Sequence, residues 1–209
     1  MDTKTFKGEG ISLLAGCFLM IVTMVLHPAG GDFHHLIKIR TIGIVTHVIA
    51  ILSLPLVAYG LLGLTQKLGN SLARLSFLFM LFGLLAVMLA ATTNGIILMN
   101  FVKSYEGASE ATIGSLKPFF RLIRSFNHAF DFIFIGAVCI SITLWSVSIL
   151  KTHHIQKLLG WFGILLAIVA LSLLFSGFVF VELHGFRIFI FGWVIWVLGV
   201  GLSLYKAKY

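Results

Sequence analysis

Long, nearly uninterrupted apolar runs separated by short polar segments dominate the chain. Six runs reach the roughly 20 mostly apolar residues that a membrane-spanning helix needs, at about residues 11–27, 41–63, 75–102, 125–150, 158–181 and 186–205. Continuous blocks of this kind are unlike the short alternating segments of a membrane β-barrel. The sequence therefore predicts an all-α polytopic membrane protein in which residues 1–209 form a single six-helix bundle.

Composition agrees with this prediction. The chain is 59% hydrophobic and 11% charged, whereas a soluble domain has about a quarter of its residues charged, so the lipid bilayer is the expected partner. The net charge of +8 is spread over loops and termini without a basic stripe, which argues against nucleic acid. Cys17 and Cys139 both lie inside apolar runs and form neither a disulfide framework nor a CxxC motif.

The first apolar run contains a pattern that resembles a lipoprotein processing site, "LLAGC" at 13–17. A cleavable signal has its apolar region before the cleavage site, but here the apolar run continues past Cys17. We therefore expect this helix to remain in the mature protein.

Loop charges give an orientation. With six helices, eight Lys and Arg residues fall on the side of the two termini and seven on the other side. Under the positive-inside rule this small excess favours cytoplasmic N- and C-termini for a multi-pass protein of the plasma membrane.

The segment "LWSVSILKTHHIQKLLGWFGILLA" joins the fourth and fifth predicted helices through a basic loop and a Lys-Leu-Leu-Gly sequence. Within about residues 140–170 this pattern resembles uncharacterised families of six-helix bacterial inner-membrane proteins. The resemblance implies a bacterial inner-membrane location and no particular activity.

Polar residues concentrate on the side of the first, third and fifth loops. The set comprises His27, His34, His35, His47, Asn94, Asn100, Asn127, His128, Asp131, Glu182, His184 and Arg187. The opposite halves of the helices carry mainly hydroxyls such as Ser141, Thr143 and Ser146, which are suited to bond backbone carbonyls one turn back. Any chemistry is therefore expected in one leaflet.

One histidine and one aspartate lie more than one turn inside the predicted helices, away from their ends. His47 and Asp131 are functional candidates because ionisable groups inside a membrane are costly unless they are paired or face a wet cavity. The alternative interpretation is a buried polar network that only holds helices together.

Helical spacing groups further polar residues with these two. Asn127 and His128 share a face with Asp131, at separations of four and three residues. Arg40 shares a face with His47. Asn94 continues a stripe of small residues, Gly83, Ala86 and Ala90, which is typical of close helix packing in membranes.

These positions suggest a metal centre. His27, His47, His128 and Asp131 are predicted to hold a transition metal such as zinc, with Asn94, Asn127 and Arg40 in support. In a haem b version, His47 and His128 are the two axial ligands.

The segment "HPAGGDFHH" at 27–35 is rich in histidine but also has the composition of a turn. Pro28 and the glycines turn the chain, and Asp32 is placed to cap an extension of the second helix. His34 and His35 are most simply interfacial, which leaves His27 as the ligand candidate of this loop.

Three functions follow from these residues. The first is metal or haem binding. The second is a metal-dependent membrane hydrolase in which Asp131 is a ligand or general base. The third is a transporter, a lipid-binding protein or a structural subunit, with a small molecule or lipid as ligand. The sequence contains no HExxH, GxSxG, P-loop or GxGxxG motif.

Overall fold

The computed structural model describes residues 5–152, 155–176, 178 and 183–206, and within these ranges it contains helices and no strand. The helices are α1 (Lys7–Leu26), α2 (Phe33–Leu68), α3 (Ser71–Ala91), α4 (Leu98–Lys103), α5 (Glu110–Ser115), α6 (Lys117–Leu150), α7 (Lys157–Phe175) and α8 (Leu183–Lys206). A π-helical segment, Thr92–Ile97, joins α3 to α4. Six spans among them are long and apolar enough to cross a membrane. The all-α prediction and the six spans are confirmed.

Side-chain caps fix where two of the spans begin. The Asp32 carboxylate accepts a hydrogen bond of 2.8 Å from the backbone N–H of His35, which confirms the predicted cap of α2. Asn70 caps α3 in the same way, accepting from the N–H of Ala73 at 2.9 Å. Gly69 ends α2 with a φ of 66°, a left-handed conformation that glycine adopts without strain.

Two helices are much longer than a bilayer is thick. With 36 residues in α2 and 34 in α6, they reach about 54 and 51 Å at a rise of 1.5 Å per residue, against a hydrocarbon thickness of about 30 Å. The segment "KPFFRLIRSF" at 117–126 interleaves bases with aromatics, a composition that indicates an interfacial helix leading into the following span. It forms the beginning of α6, and its apolar side chains pack on α2 and α4.

A small apolar cluster holds these extended ends together. Its buried members are Phe33, Leu36, Leu98, Met99, Val102 and Ile123. They come from α2, α4 and α6, so the extensions form a cap on the same side of the bundle as the predicted polar residues.

The spans form a ring. α1 packs between α8 and α2, α2 packs against α3, α3 against α6, and α6 against α7, which also touches α8. Large side chains fill the centre, and Phe134, Trp145, Trp193 and Trp196 are all less than 2% exposed. The predicted stripe on α3 is confirmed, since Gly83 faces Ala137 of α6 closely enough that an added methyl group would lie 3.0 Å from its Cβ.

Polar groups in the half of the bundle near the termini bond between helices. The Ser141 hydroxyl donates to the Ser76 carbonyl at 3.0 Å, and the Ser76 hydroxyl returns a bond to the Ser141 carbonyl. Trp145 Nε1 donates to the Thr65 hydroxyl at 3.3 Å. Thr143 donates to the Cys139 carbonyl at 2.8 Å and so follows the expected pattern of bonding one turn back, whereas the Ser146 hydroxyl has no partner in the described part of the chain. Ser141 therefore joins α6 to α3.

The contact between α1 and α8 yields a test of this packing. A Cβ at Gly10 would lie 2.7 Å from the Tyr205 backbone nitrogen and 2.9 Å from the Gly201 carbonyl oxygen. Since backbone atoms cannot rotate away, we expect Gly10→Ala to lower the free energy of unfolding by about 1–3 kcal/mol. Thermal unfolding in detergent measures the change.

The matched control lies on the same helix. Gly8 has no atom within 4 Å of an added Cβ, so Gly8→Ala should leave the melting temperature unchanged or slightly raised. Equal melting temperatures for the two variants would contradict the close contact between α1 and α8.

Candidate functional site

A cavity of about 1070 Å³ opens at the end of the bundle that carries the α1–α2 connection and the start of α6. Its walls come from α1, α2, α3 with the π-helical segment, α6 and α8. Its deep part is lined mainly by apolar side chains, including Met20, Leu54, Val87, Phe134, Ile190 and Trp193. Its outer part is lined by most of the polar residues that the sequence places on the side of the first, third and fifth loops. The polar residues predicted for one side of the bundle therefore surround a single cavity.

Two histidines meet in this cavity. The rings of His27 and His47 lie edge to face, with their centroids 4.8 Å apart. His47 Nδ1 lies 2.7 Å from the Gly43 carbonyl oxygen, and His27 Nδ1 lies 3.0 Å from the Pro28 carbonyl oxygen. A carbonyl only accepts, so Nδ1 carries the proton in both rings, and Nε2 of each neutral ring keeps its lone pair.

The charge state of His27 follows from its position just past the end of α1. Burial, and then the proximity of His47, lower the pKa of His27 to about 4. The ring is therefore neutral at physiological pH. The unfolded chain takes up its proton near the ordinary value of 6.5, so His27 contributes stability above that pH and loses it as the pH falls towards 4.

The π-helical segment positions His47. Gly95, in the middle of this segment, is buried, and a Cβ added there would overlap the Cβ, Cγ and Nδ1 atoms of His47. The absence of a side chain at Gly95 thus allows the His47 ring to lie against the backbone of the neighbouring helix. π-Helical turns of this kind are frequent at functional sites.

Asp131 faces the cavity from α6. It is 6% exposed, and one of its carboxylate oxygens accepts a hydrogen bond of 2.7 Å from Asn127 Nδ2, so the predicted shared face of the two residues is confirmed. His128 and Asn94 are half-buried and also line the cavity. Arg40 lies outside the cavity lining and donates to Asn100 Oδ1 at 3.4 Å, so it does not support the site as expected.

The predicted metal ligands are only partly assembled. His27 and His47 are in contact, while His128 and Asp131 line the same cavity from α6. Across the described ranges, no three His, Cys, Asp or Glu side chains form a group that could hold a metal ion. The predicted haem pair, His47 and His128, faces the cavity from α2 and α6.

Two lining residues carry polar atoms that bond to nothing else in the described part of the chain. The hydroxyl of Thr23 and Nε1 of Trp193 are both buried without a hydrogen-bond partner. Sequence reasoning did not find them, because a threonine and a tryptophan in an apolar run are indistinguishable from core residues. An unpaired buried donor is costly, so each of these two positions carries an energetic penalty in the structure.

Other predicted residues lie around the opening. Arg187 donates to the His27 backbone carbonyl at 2.8 Å and so ties α8 to the end of α1. His184 is exposed, while Glu182, its predicted companion, lies outside the described residues. Lys117, Arg121 and Arg124, from the basic and aromatic start of α6, also line the cavity.

Comparison with protein-family models, curated proteins and solved structures finds no match to this chain.

The contact between Gly95 and His47 can be tested directly. We expect Gly95→Ala to displace the His47 ring, break its bond to Gly43 and reduce stability by about 1–3 kcal/mol through overpacking. ¹⁵N NMR of labelled histidine should show the loss of the Nδ1–H tautomer at one residue. Gly136→Ala is the control because a Cβ at Gly136 meets nothing within 4 Å; an unchanged histidine spectrum in Gly95→Ala would refute this role of Gly95.

Proposed function

We propose that this protein binds an amphiphilic small molecule or single-chain lipid in the cavity. The observation that carries the proposal is the graded lining of one cavity, apolar in its depth and polar at its opening. A molecule with a hydrocarbon chain and a polar end matches this gradient. The volume of about 1070 Å³ is slightly above the range of roughly 300–1,000 Å³ that is typical of small-molecule sites.

The hydrogen-bonding pattern supports a binding role over a purely structural one. His47 bonds to Gly43 of its own helix, and Asp131 to Asn127 of its own helix. Neither bond connects two helices, so these costly intramembrane groups do not hold the bundle together in the way that Ser76 and Ser141 do. Their remaining hydrogen-bonding capacity faces the cavity, where a ligand can use it.

We also infer the orientation from the loop charges. Their small cation excess places both termini in the cytoplasm, so that the cavity opens towards the extracytoplasmic leaflet of a bacterial inner membrane. A ligand would enter from that leaflet or from the space outside it.

Filling the cavity tests the proposal. Ala50 lines the cavity on α2, so we expect Ala50→Phe to occupy the ligand space. Native mass spectrometry of the detergent-purified protein should detect a retained amphiphile on the wild type and several-fold less on this variant.

Ala129→Phe is the matched control, since Ala129 is exposed on α6 and lies outside the cavity lining. It should retain as much amphiphile as the wild type. Equal retention by all three proteins would place any bound lipid on the outer surface of the bundle and overturn the proposal.

A transition-metal site is the second candidate, favoured by the geometry of the two histidines. Hydrogen bonding of Nδ1 to a backbone carbonyl is the usual arrangement of a metal-bound histidine, since it fixes the tautomer with Nε2 free to ligate. His27 and His47 both have this arrangement. His128 or Asp131 would have to complete the set, and a catalytic zinc site would further need an open position for water.

Elemental analysis separates the two candidates. After equilibration with Zn²⁺ and removal of excess, the metal hypothesis expects one zinc per chain, at least tenfold less in His47→Gln, and no loss in His184→Gln, whose histidine is exposed outside the cavity lining. Absence of zinc from the wild type removes this candidate and leaves the amphiphile proposal standing. An absorbance spectrum of the same preparation after haem-replete expression tests the haem version.

A further inference from the structure

Three cations stand at the opening of the cavity. Lys117, Arg121 and Arg124 are four and three residues apart, so they share one face of the first turns of α6. All three are exposed, and all three line the cavity. Lys38 and Lys103 lie on the same side of the bundle but outside the lining, so the cations at the opening are distinguished by position from ordinary flanking charges.

The acidic side chains at the opening are hydrogen-bonded to other groups. Glu110 Oε1 lies 3.1 Å from His34 Nε2, and the Asp32 carboxylate accepts from the N–H of His35 at the start of α2. None of the three cations is paired with a carboxylate among the residues the structure describes. They outnumber these two carboxylates, so the opening carries a net charge of +1 when Lys, Arg, Asp and Glu alone are counted.

The remaining acid of the cavity lies deeper. Asp131 is seven residues beyond Arg124 on α6, about 10 Å along the helix at 1.5 Å per residue, and it is hydrogen-bonded to Asn127. Positive charge at the opening and a buried carboxyl group below it favour a ligand whose anionic group stays at the opening. The chain of such a ligand points towards apolar lining residues such as Leu54 and Val87.

We propose that the cavity selects anionic amphiphiles, with the carboxylate or phosphate held by Lys117, Arg121 and Arg124 and the hydrocarbon chain in the apolar depth. This inference rests on the proposed function and names its ligand class. Arginine suits the task because its planar guanidinium donates two parallel hydrogen bonds to a carboxylate or phosphate.

Binding measurements with defined probes test the selection. We would titrate the full-length protein in dodecyl maltoside by isothermal calorimetry with oleate, 1-oleoyl lysophosphatidate, the zwitterionic 1-oleoyl lysophosphatidylcholine, and inorganic phosphate. At least one of the two anionic lipids should bind tenfold or more tightly than the zwitterionic lipid, and more weakly at high salt. The tighter of the two identifies the head group as carboxylate or phosphate, and inorganic phosphate alone should not bind.

Matched double variants locate the head group. Arg121→Gln with Arg124→Gln should weaken binding of the preferred anionic lipid at least tenfold and leave the zwitterionic lipid unchanged. Lys38→Gln with Lys103→Gln removes as much charge from the same side and should change neither. Size-exclusion chromatography confirms folding, and should the arginine variant not fold, the salt dependence of the wild type decides the question.

The outcomes distinguish this inference from the function on which it rests. Equal affinity for anionic and zwitterionic lipids, equal losses in both double variants, or tight binding of inorganic phosphate alone would overturn the anionic selection while the cavity remains a binding site. Failure of every lipid to bind the wild type would overturn the proposed function itself.

Discussion

A polar group inside a bilayer has no water to bond, so it must find its partner within the protein or in a bound molecule. In the half of the bundle near the termini, several polar groups meet this requirement between helices. Ser76 and Ser141 exchange bonds across α3 and α6, and Trp196 Nε1 donates to the Leu159 carbonyl across α8 and α7 at 3.0 Å. The stacked, buried rings of Trp145 and Trp196 lie in the same half.

In the opposite half, the intramembrane residues that line the cavity meet the same requirement locally. There His47 and Asp131 bond within their own helices, and His27 bonds to the residue that follows it. Such local bonds satisfy one atom of each side chain without drawing neighbouring helices together. The helices therefore enclose a cavity in this half. The extended ends of α2, α4 and α6 are held together by the small apolar cluster that includes Phe33 and Ile123. The cavity therefore lies in one half of the bundle, and the bonds of Ser76, Ser141 and Trp196 between helices lie in the other.

The sequence predicted the parts of this arrangement that depend on a single helix. Apolar run length predicted six spans, spacing predicted the shared face of Asn127 and Asp131, and turn chemistry predicted the Asp32 cap. It did not predict features that depend on two helices at once. The partnership of Ser76 with Ser141 and the position of Arg40 outside the cavity both require the relative rotation of neighbouring helices, which no local pattern contains.

The start of α6 is another feature that depends on contacts between helices and that a local sequence pattern does not predict. A basic and aromatic segment is typical of a helix lying on the membrane surface, and only the contacts of Ile123 with α2 and α4 reveal that it continues the span. The three cations at the cavity opening were visible in the sequence, but their common direction was not.

The π-helical segment has a wider geometric consequence. A π turn holds more residues than an α turn, so the helical phase after Ile97 is rotated relative to the phase before Thr92. Before the segment, the small residues of α3 face α6; after it, Leu98 and Met99 face α2. The same span therefore packs its small residues against α6 before the segment and its larger residues Leu98 and Met99 against α2 after it, and the segment itself lines the cavity through Asn94.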